Sequence, residues 1–121
     1  MMNIEDIRIY CLSKPAVTEA FPFDEVTLVF KVKNKIFAFL SLDGDHGISL
    51  KCDPERAVEL REQFPSITPG YHLNKQHWNS IALDGSLTSS FLKELIDHSY
   101  QLIIESLPKK LKEELNNETN E

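Results

Sequence analysis

Hydrophobic and polar positions change period along the chain, helical at both ends and strand-like between. Ile4, Ile7 and Cys11 recur at three-to-four spacing, which predicts a helix from about Ile4 to Ser13. Asn3 caps it, Asp6 sits at the capping-box position, and Lys14-Pro15 ends it because the residue before a proline avoids helical geometry. Ala20-Phe21-Pro22-Phe23-Asp24 reads as a loop packed on the core. Val26 to Val32 is rich in β-branched and aromatic residues and reads as a strand. Lys33-Asn34 suits a two-residue turn, and Lys35 to Leu42 returns as the second arm of a hairpin. That register places Leu28, Phe30, Phe37 and Phe39 on one face. A second turn, Asp43-Gly44-Asp45-His46-Gly47, leads into a short third strand, Ile48 to Cys52.

Asp53-Pro54-Glu55-Arg56 is a strong helix start: an acceptor at the cap, proline in the first turn, and an acid at the positive end of the dipole. Ala57, Leu60, Arg61 and Phe64 keep helical spacing until Pro65. Ser66 to Gly70 reads as loop, Tyr71 to Gln76 as one helical turn at most, and Trp78 to Leu83 as a strand. The last long helix spans about Thr88 to Ser106, with Phe91, Leu92, Leu95, Ile96, Leu102 and Ile103 as its apolar stripe. Helix, three strands, helix, one or two strands and helix make an α+β fold: an antiparallel sheet of about five strands with helices packed on one face. Pro108 breaks this helix, and Lys109 to Glu121 reads as a frayed helical continuation at most; residues 1–112 form one domain, and the polar residues 113–121 are expected to be a disordered tail.

The chain has 121 residues, enough for one core but not comfortably two. Its 41% hydrophobic and 26% charged residues exclude wholesale disorder. No stretch approaches the roughly 20 apolar residues of a membrane helix, and acids stand where a signal peptide would carry lysine or arginine. A cytoplasmic location away from membranes is therefore expected. Cys11 and Cys52 form no CxxC pair and suit a reducing compartment. The net charge of −6 excludes an all-over basic coat. Half of it falls on residues 112–121, where one lysine faces four glutamates, so the body is nearly balanced.

Three strings stand out: Leu50-Lys51-Cys52-Asp53-Pro54-Glu55, Pro69 through Asn79 (PGYHLNKQHWN), and Glu94-Leu95-Ile96-Asp97-His98-Ser99-Tyr100. In this order and spacing, with Phe21-Pro22-Phe23 before them, the chain closely resembles the MmcQ/YjbR family of small bacterial proteins over about residues 3–112. The resemblance implies a fold like that of the frataxin/CyaY group. It also implies DNA as partner, since family members are labelled DNA-binding with hairpins as wings. It brings no catalytic residues.

Two sets of residues could meet an anion. Lys31, Lys33 and Lys35 make the first hairpin tip basic, although a two-residue turn sends Lys35 to the face opposite Lys31. The acid-free stretch from Gln63 to Leu83 holds Tyr71, His72, Lys75, His77 and Trp78, with Lys51 nearby. Lysines and backbone donors there could neutralise phosphate, and Tyr71 or Trp78 could stack on an unpaired base. Against this stands a plain structural role, with the aromatics as core anchors and the lysines as solubilising, edge-protecting groups.

Other chemistry is weaker. His72 and His77 adjoin no cysteine, so zinc is not implied; the 43–54 loop lacks the glycine and glutamate of a calcium loop; and Glu5 and Asp6 make no acidic ridge for iron. Cys52 before a helix start could be activated, with His72 or His77 as base, but a buried structural thiol is the better reading. Glu94, Asp97 and His98 read as a surface or helix–sheet hydrogen-bond set. The expectation is a monomeric, non-enzymatic binding protein without cofactor or metal, taking DNA or, alternatively, a protein or small ligand.

Overall fold

A computed structural model describes residues 2–43 and 47–119. The centre of the expected turn at 43–47, including His46, lies outside the described residues. The elements run α1 (Ile4–Leu12), β1 (Val17–Ala20), β2 (Thr27–Val32), β3 (Lys35–Ser41), β4 (Ile48–Lys51), α2 (Pro54–Gln63), β5 (Ile67–Pro69), β6 (Trp78–Ile81), α3 (Ser89–Ser106) and α4 (Lys109–Thr119). The strands form one antiparallel sheet in the order β1-β2-β3-β4-β6-β5. The α+β class and the single helical face are as expected, with six strands in place of about five. The four strand segments named from the sequence are β2, β3, β4 and β6; β1 and β5, four and three residues long at the two sheet edges, went unmarked. Segments so short carry too few alternations to show a period of two.

Local signals explain the helix ends. Asn3 and Asp6 form the reciprocal capping box on α1, the Asp53 carboxylate accepts from the Arg56 amide, and the Thr88 hydroxyl accepts from the Phe91 amide. Ile7 and Cys11 of α1, and Leu92, Leu95, Ile96, Tyr100 and Ile103 of α3, are buried against the sheet. Of the expected tail, residues 113–119 continue α4, and its Leu115 joins the main core. Polarity of the surrounding residues hides a single anchoring leucine.

The hairpin face is also corrected. Lys33 and Asn34 do form the two-residue turn, both at positive φ (49° and 67°). A register shift then falls between Phe30 and Lys31, so that Phe30 faces Ala38 instead of Phe37. Phe37 is the extra residue of a β-bulge and shares the core side with Ala38, both fully buried. Phe39 moves one position, opposite Val29, and so onto the helix-free side of the sheet.

Candidate functional site

The helix-free side is built from alternate residues of neighbouring strands. Val29, Phe39, Ser49, Ser80 and Thr68 lie in register across it, with Lys31 and the Lys51–Trp78 pair beside them. Two loops fold over this side. The first, residues 21–26, lays Phe23 parallel to Phe39 at 6.3 Å between ring centroids. It is held by the Asp24 carboxylate, which accepts from the Val26 and Thr27 amides at 3.0 and 2.7 Å and from the Thr27 hydroxyl. These bonds hold Asp24 below the usual carboxylate range, with Asp43 nearby opposing them.

The second loop, residues 70–77, is tied down at several points. The Gly70 amide donates to the Trp78 carbonyl, and a Cβ on Gly70 would stand 2.7 Å from the Trp78 Cβ, so only glycine fits this approach. The Tyr71 amide donates to the Ser80 hydroxyl, which is itself bonded to Ser49 Oγ at 2.7 Å. Lys75 donates to the Gly70 carbonyl, and Arg61 of α2 bonds both the Lys75 carbonyl and Asn79. His72 adopts the left-handed conformation (φ 56°), which turns the chain over the sheet.

Between the two loops lies a cavity of about 560 Å³. Phe39, Thr27, Ser41 and Ser49 supply sheet side chains, Phe23, Asp24 and Val26 one wall, and Tyr71, His72 and Leu73 the other; Asp43 and Gly47 close an end. The Ser41 hydroxyl donates to Asp43. Phe23, Val26 and Tyr71, all lining this cavity, belong to a small set of large apolar side chains that stay exposed. Among the described residues no lysine or arginine lines it.

The sequence-derived candidates therefore divide. Tyr71 and His72 stand together at the cavity, their rings 4.1 Å apart. Trp78 packs edge-on against Phe39 at 5.4 Å, as a support for the floor. Lys75 is a tie of the second loop, and the His77 carbonyl accepts from the Cys52 amide. Lys31 and Lys51 lie on the helix-free side, whereas Lys33 approaches Glu114 at 4.0 Å and Lys35 bonds Ser106 at 3.4 Å on the helical side. The hairpin tip is thus docked against α3 and α4. Phe23, Asp24, Phe39, Asp43 and Ser49 went unsingled in the sequence as site residues. Phe39 was hidden by the bulge, and the others by lying in turns or as lone polar residues in a strand.

The remaining groups have structural partners. Burial pushes the Cys11 thiol up to about 12 and raises that of Cys52, so desolvation outweighs any helix-start activation of Cys52. Glu94 pairs with Arg56, Asp97 with Tyr10 and Lys14, and His98 accepts from the Asp53 amide. Among the described residues, no group of three or more His, Cys, Asp or Glu side chains is placed to hold a metal ion, and no helix is long and apolar enough to cross a membrane.

These features define a class: a small α+β protein whose single antiparallel sheet is covered by helices on one side and by two cavity-forming loops on the other. The YjbR family model matches residues 12–102, and the chain belongs to that family. The Escherichia coli K12 protein YjbR, described as uncharacterized, is 37% identical over 108 residues, covering 88% of this chain and 92% of its own. YbdF of Escherichia coli O157:H7, likewise uncharacterized, is 36% identical over 107 residues and 88% of each chain. A Deinococcus radiodurans crystal structure with a DUF419 domain superposes with a TM-score of 0.89 at 43% identity, over 96% of this chain and 89% of that one.

Proposed function

We propose that this protein is a small-molecule-binding module and that the cavity between the 21–26 and 70–77 loops is its binding site. The observation that carries the reading is the concentration of exposed Phe23, Val26 and Tyr71 around one concave site of ligand-sized volume. A protein with no use for that surface gains by burying it. DNA, the partner expected first from the sequence, draws support from Lys31 and Lys51 on the same side of the sheet. The geometry supports it less well: Lys33 and Lys35 engage the helical layer, and two carboxylates line the cavity where phosphate would have to approach. Burial raises both thiols, Cys11 and Cys52, so neither supports a cysteine-based reaction.

The test is protein-observed NMR of the full chain against a library of one- and two-ring aromatic fragments, with a duplex DNA titration at several salt concentrations. Fragments are expected to shift the Phe39, Ser49 and Leu73 amides. Phe23→Ala, which removes an exposed wall, should weaken them by about tenfold. Hits that map elsewhere, or saturable salt-sensitive DNA binding with no fragment binding, would overturn the proposal.

A further inference from the structure

The cavity has a sign as well as a shape. Its two formally charged lining groups among the described residues are Asp24 and Asp43, and its aromatic lining is Phe23, Phe39 and Tyr71. Among the described residues His72 is the one basic side chain lining it, and its ring lies against Tyr71. Asp24 is fixed as an anion by two backbone amides and a hydroxyl, all from its own turn. A carboxylate offers about four lone-pair positions, so these bonds leave acceptor capacity for a further donor. Aromatic faces carry negative potential, so they attract cations as the carboxylates do. Lone carboxylates on an exposed surface would carry no such meaning; here they share a concave site with exposed aromatics.

The geometry points to an organic cation as the ligand class: a compact apolar or aromatic body bearing a protonated amine. The body lies against Phe39 and Leu73, and the amine meets Asp24 and Asp43. This rests on the cavity being the binding site. Anionic ligands, including nucleotides and carboxylic acids, are disfavoured by the same charges. The body of the ligand, not the amine alone, must supply much of the affinity, because a single exposed ion pair contributes at most about 1 kcal/mol.

Three probes with one ring and different ends separate the possibilities: 2-phenylethylamine, 2-phenylethanol and phenylacetate, each titrated into the full chain by NMR. The amine is expected to bind at least about fivefold more tightly than the alcohol, with phenylacetate weakest. Asp24→Asn keeps an acceptor for the turn and should cut the amine's advantage over the alcohol by at least about twofold, read as the ratio of the two affinities in the same variant. Asp43→Asn is the parallel variant if the first does not fold. Raising the salt concentration on the unaltered protein should weaken the amine alone. Equal binding of alcohol and amine at the cavity would overturn the charge preference while leaving the binding site standing. Failure of all three, with fragments also absent from the cavity, would overturn both.

Discussion

At the residue scale, the most consequential side chain outside the cavity is Ser99. Strands β3 and β4 pair from Leu40–Ile48 to Ala38–Leu50, and the same register would next join Phe37 to Lys51. That position falls at the bulge, and the Ser99 hydroxyl of α3 enters it. The Lys51 amide donates to Ser99 Oγ at 2.9 Å, and Ser99 Oγ donates to the Phe37 carbonyl at 2.5 Å. Ser99 is fully buried, so water offers no substitute. One hydroxyl thus continues the ladder where the bulge opens it, and it fastens α3 to the sheet. Ser99→Ala leaves a buried donor and acceptor unpaired and should destabilise the fold by about 2 kcal/mol. The check is the urea midpoint at unchanged slope. A loss below about 0.5 kcal/mol would mean that the strands close and re-form the direct bond. The Ser99 string is conspicuous in the sequence, yet nothing local marks the serine, because its partners lie 48 and 62 positions away.

At the element scale, legibility follows from how local the cause is. The caps of α1, α2 and α3, and the Lys33-Asn34 turn, are settled by residues within three or four positions and could be read directly. The bulge at Phe37 is a compromise between hairpin pairing and packing beneath α3, where Phe37 meets Tyr100 edge-on at 5.3 Å. No pattern within the hairpin announces it. Phe39 consequently changed sides, and the aromatic floor of the cavity could not be foreseen. Half the candidate site, Tyr71 and His72, was visible as an acid-free aromatic stretch; the opposing Phe23 and Asp24 belong to a loop whose partner is distant in sequence. The docking of α4 was not legible for a similar reason, since it depends on Leu115 meeting a core assembled elsewhere. Leu115→Ala should lower stability by about 2 kcal/mol and loosen the hairpin tip that Glu114 approaches. Thermal melts, with amide exchange at Lys33 and Asn34, would show it; a neutral substitution would return residues 109–119 to the status of an independent tail.

At the scale of the whole molecule, charge decides how the fold responds to pH. The His98 imidazole is half-buried beside Arg56, and burial first, then the guanidinium, holds its pKa below the ordinary 6.5. Its Nε2 accepts from the Asp53 amide at 3.3 Å, a bond that only the unprotonated nitrogen can make. The unfolded chain therefore takes up this proton more readily than the folded one. Stability should be complete above the unfolded value and decline as pH falls through about 6.5 toward the lower folded value. A second group of sites acts further down. Glu19 is held low by its hydrogen bond from Arg8, Asp24 by the Val26 and Thr27 amides, and Asp84 by the Ser86 hydroxyl and amide. These carboxylates stay ionised longer in the folded state, so their contribution is present above about pH 4.5 and is lost below it. The expected melting-temperature profile has a plateau above neutrality, a shallow decline that sets in as pH falls through about 6.5, and a steeper fall below about pH 4.5. His98→Gln keeps a side-chain acceptor for the Asp53 amide but cannot take the proton. It should remove the shallow decline and leave the steeper fall in place. An unaltered shallow decline in that variant would place the titrating group elsewhere, and a flat wild-type profile down to pH 5 would show that His98 is as easily protonated in the folded chain as in the unfolded one.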